Sequence, residues 1–211
     1  MALMFPRLAR NFARAGYFPT DEVTLEKVLS ALAPSPGDGS MCILDPCAGE
    51  GVAIAEAAHA LGRERVRAYA VEYDAERAAH SRQLVDHCLH SDLMDTVISR
   101  QSFGLLFLNP PYGDLARGAD GNIGYQGQGR PRLEKLFYQR SVPLLQYGGV
   151  LVLILPHYVL DAEFVGWLTR HFVNLRVYRA VETQFKQVVI FGERIRQREQ
   201  ESARVKSARS R

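Results

Sequence analysis

The sequence predicts an α/β fold in which helices cover both faces of a mostly parallel β-sheet. Two observations lead to this prediction. Short apolar runs typical of buried strands alternate along the chain with longer stretches typical of helices. Some of these runs end in polar or glycine-rich segments, as strands of an open parallel sheet do at the edge where ligands bind. With 211 residues, 47% of them hydrophobic, the chain can bury one substantial core.

Seven segments are predicted to be strands, because each is a short run of mostly apolar residues. They cover residues 41–45, 66–72, 87–90, 103–108, 149–155, 175–180 and 187–192. Helical patterns predict five helices, over residues 23–32, 51–61, 75–84, 133–145 and 162–172. Breaker residues predict a loop over residues 34–40, and the glycine-rich segment 114–131 is the longest predicted loop.

The charge is unevenly placed along the chain. The formal net charge is +3, yet residues 194–211 hold seven Lys or Arg and two Glu, so this segment contributes +5 and residues 1–193 contribute −2. We therefore expect one folded domain over residues 1–193 and a basic C-terminal tail over residues 194–211. The tail is interpreted either as an arm that binds phosphates or as a solvated end that keeps the protein soluble.

Composition argues against several classes of protein. No apolar run reaches the roughly 18 residues that a membrane span requires, and residues 1–10 lack the apolar region of a signal peptide. The three cysteines, Cys42, Cys47 and Cys88, form no Cys-x-x-Cys or Cys/His metal spacing. We therefore expect a cytoplasmic protein with no metal and no membrane partner.

Two motifs follow the first and the fourth predicted strands. The first is Asp-Pro-Cys-Ala-Gly-Glu-Gly at positions 45–51, and the second is Asn-Pro-Pro-Tyr at positions 109–112. Glycines in a strand-to-helix turn let the backbone approach a ligand closely, and the helix amino end favours a negative group such as a carboxylate. A dinucleotide-binding turn would need a small residue where Ile54 stands, and the chain has no P-loop motif.

Together these motifs resemble the signatures of S-adenosylmethionine-dependent amino-methyltransferases, above all the N6-adenine DNA methyltransferases. Upstream, Gly-Tyr-Phe-Pro-Thr at positions 16–20 resembles the motif that precedes them in the gamma order of this family. The resemblance spans residues 16–192. It implies the class I methyltransferase (Rossmann-like) fold, a three-layer sandwich with a seven-stranded, mostly parallel sheet in the order 3-2-1-4-5-7-6, whose last strand is antiparallel.

The resemblance also implies that the cofactor is S-adenosyl-L-methionine and assigns residues to its methionine end. Asp45 would hold the ammonium group, directly or through water. The turn residues Pro46, Gly49 and Gly51 would make room for the chain of the cofactor. The methionine carboxylate would meet Phe18 and Thr20, although Thr20 is also well placed to cap a helix.

The adenosine end is assigned to residues after the second and third strands. Glu72 lies about 20 residues past the glycine turn, where an acid accepts the ribose hydroxyls. Asp92 matches the family's position for the adenine amino group, with Leu93 against the ring. Outside this register, each carboxylate would be interpreted as a surface residue or a helix cap.

The Asn-Pro-Pro-Tyr motif is predicted to be the catalytic loop. The side-chain oxygen of Asn109, which also borders the cofactor, and the carbonyl of Pro110 would accept the two N–H bonds of an amino group and aim its lone pair at the methyl group. Pro111 would help to make the loop rigid and would contact the substrate, and Tyr112 would offer a stacking face for a flipped-out base. Phe185 would be the second stacking aromatic, or a residue packed within its hairpin.

Several acceptors remain compatible with this loop. Related enzymes methylate cytosine N4, adenine N6 in RNA, guanine N2 or protein glutamine, and all these substrates present a planar amino group. A non-catalytic cofactor-binding subunit is a further alternative. No segment is large enough to be a separate recognition domain, so the predicted partners are nucleic acid, DNA in the first place, and a separate specificity subunit.

Overall fold

The seven predicted strands all form, and they join in a single sheet. The computed structural model describes residues 19–34, 36–114, 132–181 and 186–196. The strands are β1 (Met41–Asp45), β2 (Val66–Glu72), β3 (His87–His90), β4 (Phe103–Leu108), β5 (Leu145–Pro156), β6 (Phe172–Arg179) and β7 (Gln187–Arg194). The first four have the predicted bounds.

The last three strands are longer than predicted, and β5 differs most. Gly148 and Gly149 are typical breakers, so the sequence predicts that β5 begins at Gly149. In the structure β5 begins at Leu145, which pairs with Phe103, and the register then shifts so that Leu105 pairs with Val150. The glycines therefore lie within an irregularity of the strand, where extra residues are accommodated without ending the pairing.

Five helices are described, together with three short 3₁₀ turns. The helices are α1 (Glu22–Ser30), α2 (Val52–Ala60), α3 (Ala75–Leu84), α4 (Leu133–Ser141) and α5 (Ala162–His171). The predicted helix 133–145 ends at Ser141, because Pro143 lacks the N–H that an α-helix needs and lies in a 3₁₀ turn over Val142–Leu144. The other two turns cover Leu93–Asp95 and His157–Val159.

The sheet has the order β3-β2-β1-β4-β5-β7-β6. The pairs among β3, β2, β1, β4 and β5 are parallel, whereas β7 is antiparallel to both β5 and β6. The predicted class I methyltransferase fold is therefore confirmed, including the antiparallel last strand. The strand order reverses between β1 and β4, and ligands bind at such a point in open α/β sheets.

Helices cover both faces of the sheet with apolar side chains. On one face, residues such as Leu25 of α1 and Ile54 of α2 pack in a cluster with Phe107 of β4. On the other face, Tyr138 of α4 and Phe164 of α5 join a second cluster. These two layers fix the strand ends in place. Among the described helices, none combines the length and hydrophobicity needed to cross a bilayer.

Candidate active site

The carboxyl ends of β1 and β4 lie side by side and carry the two motifs. A cavity of about 210 Å³ opens between them. Its wall includes Thr20 before α1, Asp45 at the end of β1 and Asn109 after β4. The structure thus brings together three of the predicted site residues from separate parts of the chain.

The turn from β1 into α2 depends on glycine. Gly49 has a φ of 57° and Gly51 a φ of 84°, and both lie in the left-handed region that L-residues with side chains rarely adopt. The N–H of Gly49 donates to Glu72 Oε2 at 2.8 Å. A Cβ on Gly51 would lie 2.5 Å from Ser81 Oγ of α3. The turn is therefore held tightly between β2 and α3, and the buried Pro46 lies within it.

Asp45 is a buried acid with little compensation for its charge. Its side chain is 3% exposed, and its Oδ1 accepts the N–H of Cys47 at 3.0 Å. Burial raises the pKa of Asp45 to about 7, the hydrogen bond from Cys47 opposes this, and the nearby Glu72 raises it further. A cation bound in the cavity would offset this cost, so the residue fits the predicted contact with the methionine ammonium of S-adenosylmethionine.

Glu72 has a structural task beside its predicted contact with ribose. Its Oε1 accepts the N–H of Asp74 at 2.8 Å and the guanidinium of Arg77 at 2.8 and 3.1 Å, and its Oε2 accepts from Gly49. A carboxylate has about four acceptor sites. The ribose contact remains a prediction, and Oε2 is the oxygen with capacity for it.

Asp92 and Leu93 follow β3 at the same edge of the sheet. Asp92 caps the turn Leu93–Asp95, since its Oδ1 accepts the N–H of Met94 at 2.9 Å. Leu93 is 2% exposed and packs in the core with Leu44 and Val71. Their predicted contacts with adenine stay predictions, and both residues also stabilise the strand end.

Thr20 does not cap the following helix. Helix α1 begins at Glu22, so its N-cap is Asp21, whose Oδ1 accepts the N–H of Thr24 at 2.9 Å. The interpretation of Thr20 as a cap was therefore wrong by one residue. Its Oγ1 instead accepts a hydrogen bond from Asn109 Nδ2 at 3.1 Å, across 89 residues of sequence. Thr20 thereby ties the start of α1 to the predicted catalytic loop.

The amide of Asn109 is held from both ends. While its Nδ2 donates to Thr20, its Oδ1 accepts the hydroxyl of Tyr112 at 2.8 Å. The same hydroxyl oxygen accepts Gln187 Nε2 at 2.7 Å. Burial raises the pKa of Tyr112 well above its usual value, with the hydrogen bond from Gln187 opposing, so the hydroxyl keeps its proton. These contacts fix the direction in which the Asn109 oxygen points.

Cys47 contacts the backbone of the catalytic loop. Its Sγ donates to the carbonyl of Asn109 at 3.2 Å. Burial and the nearby Asp45 raise the pKa of Cys47 well above its usual value, so the side chain is a neutral thiol and a poor nucleophile. Cys47 also packs against the second apolar cluster.

The catalytic loop is anchored again just beyond Tyr112. The N–H of Leu133 donates to the carbonyl of Gly113 at 2.9 Å. Arg132 pairs with Asp114 at 3.6 Å and with Glu134, which is fully buried, at 2.9 Å. Pro110 and Pro111 lie between Asn109 and this anchor. Phe18, Phe185 and residues 115–131 of the predicted long loop lie outside the described residues.

Two polar residues were not predicted to take part in the site. Gln187 appeared only as the first residue of a strand, and Arg77 as one of several polar residues in a helix. A glutamine that begins an apolar strand is an available signal, but it does not identify a partner. Each acts through a residue that is distant in sequence or on another element, so only the folded structure brings the pairs together.

Among the described residues, no group of three or more His, Cys, Asp or Glu side chains is arranged to hold a metal ion. The polar groups of this site are instead arranged around the cavity between β1 and β4. Asp45 offers a negative charge there, and Thr20 and Asn109 offer hydrogen-bonding groups. This donor set suits an amino acid with a cationic group more closely than it suits a metal.

A sequence model of the family described as “Uncharacterised methyltransferase family (DUF6094)” matches residues 2–209. No curated protein sequence matches the chain. Three solved structures share the fold at low sequence identity.

The methyltransferase subunit of a type I restriction-modification system from Streptococcus thermophilus has a TM-score of 0.65 at 17% identity, covering 85% of this chain and 44% of that one. A protein from Listeria monocytogenes described as a class I S-adenosylmethionine-dependent methyltransferase has a TM-score of 0.63 at 15% identity, covering 82% and 58%. TrmN from Thermus thermophilus has a TM-score of 0.55 at 20% identity, covering 81% and 47%. The chain thus spans about half the length of these proteins.

Proposed function

The chain belongs to the uncharacterised methyltransferase family DUF6094, and we propose that it transfers a methyl group from S-adenosyl-L-methionine to an exocyclic amino group, N6 of adenine in DNA. The observation that carries this proposal is the placement of Asn109. Its amide borders the cavity that Asp45 lines, and it is held by hydrogen bonds to Thr20 and Tyr112. A neutral amide in this position suits an acceptor that is activated by orientation.

The chemistry of the amino group explains why an amide is useful here. The lone pair of an aromatic amino group is delocalised into the ring, so the nitrogen is a weak nucleophile. Asn109 Oδ1 and the carbonyl of Pro110 would each accept one N–H bond and favour a tetrahedral nitrogen, whose lone pair then points at the methyl group. Because Asn109 is no base, the proton leaves after transfer.

The cofactor would be held on the opposite side of Asn109. When bound, S-adenosylmethionine supplies an electrophilic methyl group on a sulfonium. Asp45 would bind the ammonium of its methionine part, and the turn containing Gly49 and Gly51 would lie along its chain. Phe18 is proposed for the carboxylate together with Thr20, and Glu72 and Asp92 for the adenosine part.

Tyr112 supports a planar acceptor. Its half-buried ring follows Asn109 by three residues, and its hydroxyl contacts the Asn109 oxygen. A base stacked on this ring would present its edge to that oxygen. Phe185 is proposed to hold the base from its other face, with Pro111 beside it.

DNA is favoured as the substrate by two observations. The tail carries a strong excess of basic residues. The chain also shares its fold with a methyltransferase subunit of a restriction-modification system. By analogy with that subunit, we propose that sequence recognition is provided by a separate partner. Methylation of other nucleobases or of glutamine remains the alternative outcome of the test below.

The test is a methyl-transfer assay with radiolabelled cofactor and four acceptors: duplex DNA, single-stranded DNA, RNA and a glutamine-containing peptide. We expect label in DNA as N6-methyladenine, identified by mass spectrometry of the nucleosides. Asn109→Ala should lower turnover by about 100- to 1,000-fold, since one of two preplaced acceptors is lost.

Each other outcome has a defined meaning. Label in the peptide or in RNA alone would replace adenine in DNA as the acceptor. Cofactor binding without transfer to any of the four would favour the non-catalytic subunit. An Asn109→Ala variant with turnover within a few-fold of wild type would show that the catalytic loop is misassigned.

A further inference from the structure

Gln187 is a buried polar residue for which the proposed reaction has no direct use. It is the first residue of β7, pairs with Pro156 at the end of β5, and is 2% exposed. Its Nε2 donates to the Tyr112 hydroxyl at 2.7 Å. A buried amide is costly unless its polar atoms are bonded, so this contact specifies where both side chains lie.

We propose that Gln187 is a positioning residue that sets the orientation of the Asn109 amide through the hydroxyl of Tyr112. The inference rests on the proposed role of Asn109. Gln187 lies 78 positions after Asn109 in the chain. The proposal thus adds a residue from β7 to a site built from β1, β4 and the start of α1.

The direction of the hydrogen bonds carries the argument. A hydroxyl has one hydrogen to donate, and an amide nitrogen can only donate. Because Gln187 Nε2 donates to the Tyr112 oxygen, the Tyr112 hydrogen is directed to Asn109 Oδ1. Asn109 Nδ2 in turn donates to Thr20. The chain of bonds runs one way, from Gln187 to Thr20, and in this direction the Asn109 oxygen lies at Tyr112 and its nitrogen at Thr20.

This orientation is the one that the proposed reaction needs. The acceptor oxygen lies at the hydroxyl of the ring on which a base would stack, and the amide nitrogen, which would repel a substrate N–H, lies at Thr20. An oxygen has two lone pairs, so Oδ1 can accept from Tyr112 and from a substrate together. These hydrogen bonds join protein groups alone and need no substrate atom, and ordering such groups in advance favours the transition state.

The Tyr112 hydroxyl therefore has a task apart from stacking. A phenylalanine at this position would keep the ring face and lose the contact with Asn109. We expect Tyr112→Phe to retain substrate affinity and to lower the rate of transfer. Gln187→Met keeps the length of the side chain but removes the donor, so it should have the same effect.

The first experiment needs no substrate. In NMR spectra of the ¹⁵N-labelled full chain, the Asn109 side-chain amide is assigned by its absence from Asn109→Ala. Gln187→Met and Tyr112→Phe should each shift this resonance, and the double variant should match Tyr112→Phe alone. Tyr138→Phe is the matched control, because it removes a buried tyrosine hydroxyl that contacts His171 at 3.3 Å, and it should leave the Asn109 resonance in place.

The second experiment measures kinetics with an adenine-containing DNA duplex, or with whichever acceptor the wild type methylates. Gln187→Met and Tyr112→Phe should each lower kcat by about 10-fold, as expected for one buried hydrogen bond, with KM for the cofactor unchanged. The double variant should lose no more than Tyr112→Phe, because Gln187 acts through that hydroxyl.

Two results would overturn the proposal. One is an unshifted Asn109 resonance in Gln187→Met. The other is a double variant whose loss of kcat is the product of the two single losses, which would mean that Gln187 acts by another route. A wild type that methylates no acceptor would refute the proposed function, and the NMR comparison would still decide the role of Gln187.

Discussion

At the residue scale, Asp45 is a single buried group whose charge suits the predicted contact with the cofactor. The side chain lies at the end of a core strand, accepts a hydrogen bond from the N–H of Cys47, and has its pKa raised to about 7 by burial. A carboxylate buried in this way is costly until a cation approaches. A bound cation would offset this cost, so we expect Asp45 to favour a positively charged ligand.

The raised pKa predicts how cofactor binding depends on pH. Below about pH 7 the Asp45 carboxyl must release a proton before it can hold a cation. The affinity for the cofactor should therefore fall about tenfold for each unit that the pH is lowered below 7, and it should be constant above pH 7. Calorimetry in two buffers of different ionisation enthalpy would measure both the affinity and the proton released. Asp45→Asn should bind weakly at every pH. An affinity that is constant between about pH 5 and 8 would contradict the assignment.

The Asp45 carboxyl also affects the stability of the fold, and this effect depends on pH in the opposite direction. The folded-state pKa lies above the ordinary value of 3.8, so Asp45 contributes stability while it is protonated. As the pH rises from about 4 to about 7, this contribution should be lost, and the free energy of unfolding of the cofactor-free protein should decrease. Urea titrations of wild type and Asp45→Asn over this range would isolate the contribution, because the variant has no proton to lose.

At the scale of elements, the turn from β1 into α2 is tightly held by its neighbours. Glu72 at the end of β2 bonds to Gly49, and Ser81 of α3 lies against Gly51. Helix α2 begins without a side-chain cap, since its N-cap is Gly51. The predicted cofactor turn therefore also holds the packing of three neighbouring elements.

A glycine-to-alanine change in this turn and one in the open helix α5 should have opposite effects on the stability of the fold. Gly51→Ala should destabilise the fold by about 2 kcal/mol or more, because its φ is positive and its new Cβ would meet Ser81. Gly166→Ala, in α5 with open space around the added Cβ, should stabilise it by about 0.5–1 kcal/mol. Urea denaturation measures both. A neutral Gly51→Ala would show that the turn tolerates a side chain.

At the scale of the whole molecule, β7 runs from the carboxyl ends of the parallel strands to their amino ends. It begins beside the catalytic loop at Gln187 and runs for eight residues to Arg194, a distance of about 25 Å. There the guanidinium groups of Arg194 and Arg196 lie over the ring of Tyr147, at 4.8 and 5.2 Å from its centre. The basic tail therefore starts at the amino ends of the parallel strands, on the side of the sheet opposite the predicted catalytic loop.

The position of the tail predicts a separation of binding from catalysis. Glu193 and Arg194 still pair within the sheet, so a truncation that spares the fold ends at Arg196. Removal of residues 197–211, which hold five Lys or Arg and two Glu, should weaken binding to all nucleic acids and flatten its salt dependence. At saturating DNA, kcat should be unchanged.

The measurement is fluorescence anisotropy of labelled duplexes at several salt concentrations, together with turnover. A tail of the same length in which its five basic residues are replaced by glutamine is the control for chain length. If the truncated and wild-type proteins bind DNA with the same salt dependence, the tail is a solvated end and the alternative interpretation holds.

The sequence by itself determined the α/β class, the bounds of the first four strands and the two motifs, because apolar periodicity and glycine turns are local properties of the chain. It also led to the strand order, through the resemblance carried by those motifs. The tertiary structure decided what no local pattern contains. It placed Thr20 against Asn109, Arg77 on Glu72 and Gln187 on Tyr112.

The physical reason is that burial and hydrogen-bond direction depend on neighbours from distant parts of the chain. Asp45 is an acid like any other in the sequence, and its raised pKa comes from the layers packed around β1. Gln187 is one polar residue among many until the antiparallel β7 brings it to the carboxyl edge of the sheet. The motifs thus predicted where the site lies, and the packing decided which side chains contact its residues.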